Sequence, residues 1–273
     1  MSDLHRFQSF DGVSIAYRTL EGSGGDGWPT LLLHGFLASA ETNWFLPGIA
    51  AAIAATGRKV IAPDLRGHGR SDAPTDPAAW PQDVLAMDQE ALITHLHLTD
   101  YDLVGYSLGA RTAVRMAVRG ARPRKLVLGG MGLSGLTAAG TRAAMFEDGI
   151  RHGEAAKDPR SGRRVHAMMA AGGLKAEAML GVLSAFAPTP PEALERIDIP
   201  TLVVAGVRDD DNGSVEGLSA LMPSARGTRV PGDHLSAVME PALAREIVEF
   251  LDAESPRPRW SPPPHHPAKG PSQ

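Results

Sequence analysis

With 273 residues, 43% of them hydrophobic and 21% charged, the chain has average globular composition, so neither disorder nor a coiled coil describes it as a whole. Its net charge of -4 gives no electrostatic reason to bind nucleic acid or an anionic membrane. The absence of cysteine removes disulfides, thiolate metal sites and a cysteine nucleophile.

The first residues, MSDLHRFQSFDGVS, lack a basic stretch followed by an apolar core, and no apolar run reaches membrane-spanning length. A cytoplasmic protein without membrane or nucleic-acid partners is the resulting expectation. Residues 4–10 and 13–20 read as two short strands joined at Asp11-Gly12, a dipeptide suited to a turn. After the glycine-rich EGSGGDGW, TLLLHG at 30–35 reads as a continuous apolar run of the sort a strand buried on both faces requires, its end carrying His34 and Gly35. An alanine-rich helical stretch to about Thr56 and a second buried strand, KVIAPD at 59–64, follow.

The alternation continues with a helix near 80–97, a strand at 101–107, a helix at 108–119 and a strand at 125–131. It resumes with TLVVAGV at 201–207 and GTRVPG at 227–232, and ends in a helix over 235–252. Strands alternating with helices predict an α/β fold: a mostly parallel, doubly wound sheet, here with an opening antiparallel hairpin. Chemistry in such sheets gathers at the carboxyl ends of the strands. Residues 1–133 and 200–254 would form this core. Residues 134–199 lack a buried strand and read as an inserted helical cap, and the proline-rich residues 255–273 as a disordered tail. Within that tail, His265 and His266 could hold a metal only adventitiously.

Gly105-Tyr106-Ser107-Leu108-Gly109 falls where a strand ends and a helix begins, the setting of the G-x-S-x-G nucleophile turn. Gly105 and Gly109 supply the small residues that let strand and helix approach closely. The plainer reading of Ser107 is a helix cap. A serine hydroxyl is a weak nucleophile and needs a neighbouring imidazole to take its proton. Among ten histidines His234 is the best placed, directly after the last strand-like segment and before the final helix.

HGF at 34–36, PDLRGHGRSD at 63–72, GYSLG at 105–109 and PGDH at 231–234 together resemble the α/β-hydrolase fold family, in its order and over residues 4–253. The resemblance implies a Ser-His-Asp triad of Ser107, His234 and Asp209, with His234 at the family's catalytic histidine and Asp209 three residues after Gly206. Asp211 is the second candidate for the acid, and a solvated turn or calcium loop the alternative for the acidic run 209–211. The backbone N–H groups of Phe36 and Leu108 are implied as the oxyanion hole, with Gly35 shaping the loop. Serine at the elbow disfavours the aspartate-bearing dehalogenase and epoxide-hydrolase branches.

The activity expected is hydrolysis of a small-molecule carboxylic ester, lactone or thioester through an acyl-enzyme, with no cofactor and no metal. Perhydrolase or haloperoxidase-like chemistry, carbon-carbon bond hydrolysis and a non-catalytic small-molecule receptor are the alternatives. Asp64, Arg66, His68 and Arg70 read as loop braces. In the cap, Phe146 and Phe186 are the only two Phe, Tyr or Trp residues, and Met168-Met169 read as packing. Arg142, Arg151, Arg160, Arg163 and Arg164 could attract an anionic acyl substrate, although a solvated cap surface also explains them. Oligomeric state is not legible.

Overall fold

A computed structural model describes residues 2–253 apart from residues 26 and 139; the tail expected from residue 255 onward lies outside the described residues. Eight strands form one sheet: β1 (Asp3–Gln8), β2 (Ser14–Leu20), β3 (Gly27–Leu33), β4 (Arg58–Pro63), β5 (Asp102–Tyr106), β6 (Leu126–Gly129), β7 (Thr201–Gly206) and β8 (Ala225–Val230). Their spatial order is β1-β2-β4-β3-β5-β6-β7-β8. The β1–β2 and β2–β4 pairs are antiparallel and every later pair is parallel, as the opening hairpin and the alternation predict.

Successive strand residues point to opposite faces, and in the central strands both faces are covered, which is why β3 to β7 read as largely apolar runs. Leu31, Leu33, Leu103, Leu126, Leu128 and Val203 pack into one core. It is closed by α2 (Val84–His95) and α3 (Leu108–Val118). Leu32, Val104, Val127, Leu202 and Val204 face the other way. There they meet α1 (Ile49–Ala54) and the last helix of the described residues, Pro241–Asp252.

Three helix boundaries differ from the sequence expectation, each for a local reason. The alanine-rich stretch is broken into a π-turn at Glu41–Phe45 and α1, because Gly48 between them takes a left-handed conformation (φ 81°). The helix expected from residue 80 starts only at Val84, after Asp83 at φ 63°. The helix expected over 235–252 is interrupted at Glu240 (φ -80°, ψ 127°), since the following Pro241 disfavours helical backbone before it. A short 3-10 turn, Ser236–Met239, precedes the final helix as a result.

Between β6 and β7 the chain forms only helices: α4 (Leu133–Thr137), α5 (Gly140–His152), α6 (Pro159–Gly172), α7 (Ala176–Ser184) and α8 (Pro191–Leu194), with a 3-10 turn at Gly153–Ala155. The core resumes with β7, α9 (Val215–Leu221), β8 and α10 (Pro241–Asp252). Among the described residues no helix is long and apolar enough to cross a membrane.

The β5–α3 turn is the tightest point of the core. A Cβ on Gly105 would lie 2.3 Å from the Gly109 carbonyl oxygen, and one on Gly109 would lie 1.9 Å from the Leu33 oxygen of the neighbouring strand. Neither clash can be relieved by rotating a side chain, because the obstacles are backbone. Gly109→Ala is expected to destabilise the protein by about 2–3 kcal/mol or more, since it must push α3 off the sheet. Chemical denaturation of this variant against an Ala110→Gly control checks it; equal stability would remove the steric argument.

Candidate active site

Because β3, β5, β7 and β8 run in parallel, their carboxyl ends lie at one edge of the sheet, and the loops that leave them carry His34-Gly35-Phe36, Ser107, Asp209 and His234. Ser107 follows β5 directly and sits at φ 52°, ψ -107°, a backbone conformation that costs a non-glycine residue about 1–3 kcal/mol. The turn is held from both sides: Ser107 N–H donates to the Gly129 carbonyl at 2.8 Å, and Arg111 N–H donates to the Ser107 carbonyl at 3.0 Å.

The structure brings the three sequence-predicted side chains into one line. His234 Nε2 lies 3.0 Å from Ser107 Oγ, and its Nδ1 lies 2.9 Å from Asp209 Oδ2. With the Nδ1 proton directed at the carboxylate, Nε2 is free to accept from the serine. Asp209 and His234 are both buried. Tyr106, which the sequence reading passed over, donates its hydroxyl to the His234 carbonyl at 2.8 Å and so ties the histidine loop to the end of β5.

Asp211, the alternative acid, stands apart from this line. Its carboxylate is paired with Arg142 at 2.7 Å, and its backbone N–H donates to Asp209 Oδ1 at 3.3 Å. Asp209, Asp211 and His234 offer ligand atoms within 4.8 Å of one another, a spacing a cation could use. Arg142 already neutralises one of these carboxylates, and His234 Nδ1 already faces the other, so the donors present suit an oriented imidazole better than a metal.

Gly35 approaches the serine closely: a Cβ there would lie 3.6 Å from Ser107 Cβ. Phe36 and Leu108 line the same pocket as Ser107, and among the described residues neither backbone N–H is engaged in a hydrogen bond. The Phe36 loop is held by groups the sequence reading missed or only grouped as braces. Buried Asn43 accepts the Gly35 N–H at 2.9 Å, while Asp64 accepts those of Ala40 and Arg70, both at 2.8 Å. Asn43 carried no sequence signal, since it belongs to no motif. Arg66 is fully buried and is gripped by Asp88 and Asp11. Arg70 contributes only backbone contacts here, its N–H to Asp64 and its carbonyl to Arg6.

Two neutral histidines complete the loop. His34 donates from Nδ1 to the Gly35 carbonyl (2.8 Å) and accepts the Leu65 N–H at Nε2 (2.9 Å). His68 does the same with the Arg66 carbonyl (3.1 Å) and the Leu37 N–H (3.3 Å). Each Nε2 is an acceptor, so a proton there would face an N–H. Burial brings the His34 pKa down to about 4; burial, with the neighbouring His34, brings that of His68 to about 3.

Above this edge, Phe146 of α5 meets Phe36 edge-on at 5.0 Å between centroids. Met169 is buried, whereas Met168 lines the wider cleft that also contains His234, so only one of the pair is confined to packing. Of the arginines noted between β6 and β7, Arg142 and Arg164 line that cleft, and Arg151 pairs with Glu147 on the same helix at 2.9 Å.

A family model described as the alpha/beta hydrolase fold matches residues 29–145. The chain is similar to the 2-hydroxymuconate semialdehyde hydrolase of Pseudomonas sp. (strain CF600), with 35% identity over 130 residues, 46% of this chain and 43% of that protein. The match thus spans less than half of that relative's length. Among solved structures, it is similar to an esterase from Exiguobacterium antarcticum (TM-score 0.73, 19% identity, 91% of this chain and 99% of that one). An esterase from Rhodococcus sp. ECU1013 gives a TM-score of 0.69 at 25% identity, over 92% of this chain and 98% of its own.

Two outcomes test the geometry. Asp209→Asn is expected to lower kcat on an activated ester by roughly a thousandfold or more, by favouring the wrong His234 tautomer, while Asp211→Asn costs less than about tenfold. A reversed ranking would move the acid to Asp211. Second, the folded-state pKa values of His34 and His68 lie below the ordinary histidine value, so the unfolded chain takes up protons first as pH falls. Their contribution to stability is full above about pH 6.5 and is lost as pH falls toward about 4 and about 3. Melting temperature should therefore drop from about pH 7 to about pH 5, and His34→Gln/His68→Gln should flatten that slope. An unchanged slope in the double variant would assign the acid sensitivity to other groups.

Proposed function

Since this chain belongs to the α/β-hydrolase superfamily, we propose that it is a serine hydrolase that cleaves a small-molecule carboxylic ester, lactone or thioester through an acyl-enzyme intermediate. The observation that carries this reading is the continuous relay from Asp209 Oδ2 to His234 to Ser107 Oγ, with both hydrogen-bond distances at 3.0 Å or less. A serine kept at positive φ for capping alone would need neither a histidine at its hydroxyl nor a buried carboxylate behind that histidine.

In this mechanism Ser107 Oγ attacks the substrate carbonyl carbon as its proton passes to His234 Nε2. Asp209 keeps the Nδ1 proton in place and stabilises the imidazolium. The backbone N–H groups of Phe36 and Leu108 receive the charge on the carbonyl oxygen. Collapse of the tetrahedral intermediate expels the leaving group, protonated by His234, and leaves the acyl group on Ser107. Water then attacks the acyl-enzyme, with His234 again taking the proton, and the carboxylic acid departs. Helices α4–α8 act as a cap that encloses the acyl group between Phe36, Phe146 and Phe186.

Ser107→Ala is expected to abolish covalent labelling by a fluorophosphonate and to lower turnover of the best ester by at least about a thousandfold, with an unchanged circular dichroism spectrum. Near-normal turnover in that variant would exclude Ser107 as the nucleophile, and a wild-type protein that is neither labelled nor active would point to a binding protein on this fold.

A further inference from the structure

Arg111 lies one helical turn beyond Ser107, about 6 Å along α3, on the face that the helix buries. The residue is only 8% exposed, yet no carboxylate among the described residues pairs with it. One guanidinium nitrogen donates to the Gly135 carbonyl, and the cation rests 4.8 Å from the centre of the Phe186 ring. Another, Nη1, is buried with no hydrogen-bond partner. Arg18 and Arg58 also bury an unpartnered nitrogen, but Arg18 pairs with Glu41, and Arg58 with Asp102 and Asp252. The fully buried Arg66 has two acidic partners. Arg111 is thus a buried cation without an anion among the described residues, an arrangement that is destabilising unless something neutralises it.

The position says what that something is. Arg111 and Ser107 line one small pocket, together with Phe36, Leu108 and Phe186. Arg142 lines it too, but its charge is already matched by Asp211. His234, which protonates the leaving group, lines the wider cleft and not this pocket. The pocket therefore belongs to the acyl side of the scissile bond. Burial, and then the like charge of Arg142, pulls the Arg111 pKa to about 10, so it remains a cation at neutral pH.

Resting on the serine-hydrolase reading, we propose that Arg111 is a specificity residue that binds a carboxylate on the acyl part of the substrate, so that the natural substrates are monoesters, thioesters or lactones of short dicarboxylic acids. A carboxylate is the natural counter-ion of a guanidinium group, and with Nη2 engaged by the Gly135 carbonyl, the unpartnered Nη1 is the donor left for it. The apolar lining raises the strength of that pairing and gives a neutral acyl chain nothing to offer the buried charge. Hydrolysis of such a substrate would release the dicarboxylate.

The test compares para-nitrophenyl hemiglutarate with para-nitrophenyl hexanoate, which differ at the far end of the acyl chain, and measures glutarate binding by calorimetry against neutral glutaramide. The wild-type protein is expected to prefer the hemiglutarate by about 10–100-fold in kcat/KM and to bind glutarate but not glutaramide. Arg111→Met should bring the ratio near one and abolish glutarate binding, and Arg111→Lys should restore part of both. A general folding defect would lower turnover of the two esters together and leave their ratio intact, which would overturn the assignment of Arg111. Turnover of both esters without preference, or no glutarate binding by the wild-type protein, also overturns the carboxylate site while leaving the chemistry of Ser107 standing. Arg111-dependent glutarate binding without turnover of any ester keeps the carboxylate site and removes the hydrolase reading.

Discussion

The close passage of the α3 backbone against β5 and β3 is the constraint on which the site depends. Glycine at 105 and 109 lets the Gly109 backbone come against the Leu33 carbonyl, and this proximity forces the chain through a turn too sharp for ordinary backbone angles. Ser107 absorbs the distortion at φ 52°. Its side chain is thereby lifted clear of the sheet edge toward the loops after β7 and β8. The strain of about 1–3 kcal/mol is offset by the two backbone hydrogen bonds that hold the turn and by the burial of α3 on the sheet.

The remaining geometry is carried by buried polar groups in the loop between β3 and β4 and the one after β4, where the acceptors Asn43 Oδ1 and Asp64 are engaged while Asn43 Nδ2 and Trp44 Nε1 have no partner among the described residues. Asp64 spans two segments by accepting N–H groups from each, and Arg66 joins the β1–β2 turn to α2 through Asp11 and Asp88. Such networks have a steep cost of partial loss, because a remaining partner is left charged away from water. They hold Gly35 and Phe36 beside Ser107. The neutral state of His34 and His68 serves the same end, since each ring must accept an N–H.

Charge in the pocket follows a different logic. Loops around the carboxyl edge of the sheet balance their acids and bases, whereas the pocket under α5 and α7 is lined by two arginines and, among the described residues, by no carboxylate; Asp211, which pairs with Arg142, lines the wider cleft. Aromatic faces from Phe186 and Phe146 lie against the two guanidinium groups, at 4.8 and 5.3 Å, and soften their cost without neutralising it.

The order of strands and helices was legible in the sequence because a strand covered on both faces must be largely apolar, and β3, β5, β6 and β7 carry the runs LLL, LVGY, LVLG and LVVAG. Ser107 was legible because a turn this tight admits only glycine at 105 and 109, a demand that leaves its mark at fixed spacing. Helix limits were less so: the breaks at Gly48, Asp83 and Glu240 rest on single backbone angles that the surrounding apolar periodicity masks. Asp209 and Asp211 have the same chemistry and nearly the same place in the chain, and only the tertiary structure sets one against His234 and the other against Arg142. Asn43 and Arg111 had no motif to announce them, since an unmatched charge or a loop-holding amide is defined by which groups lie around it in space. Local sequence therefore determined the elements and the β5–α3 turn, through steric and periodic demands on neighbouring residues; tertiary packing decided the partners, through contacts such as that of Tyr106 with His234, 128 positions apart.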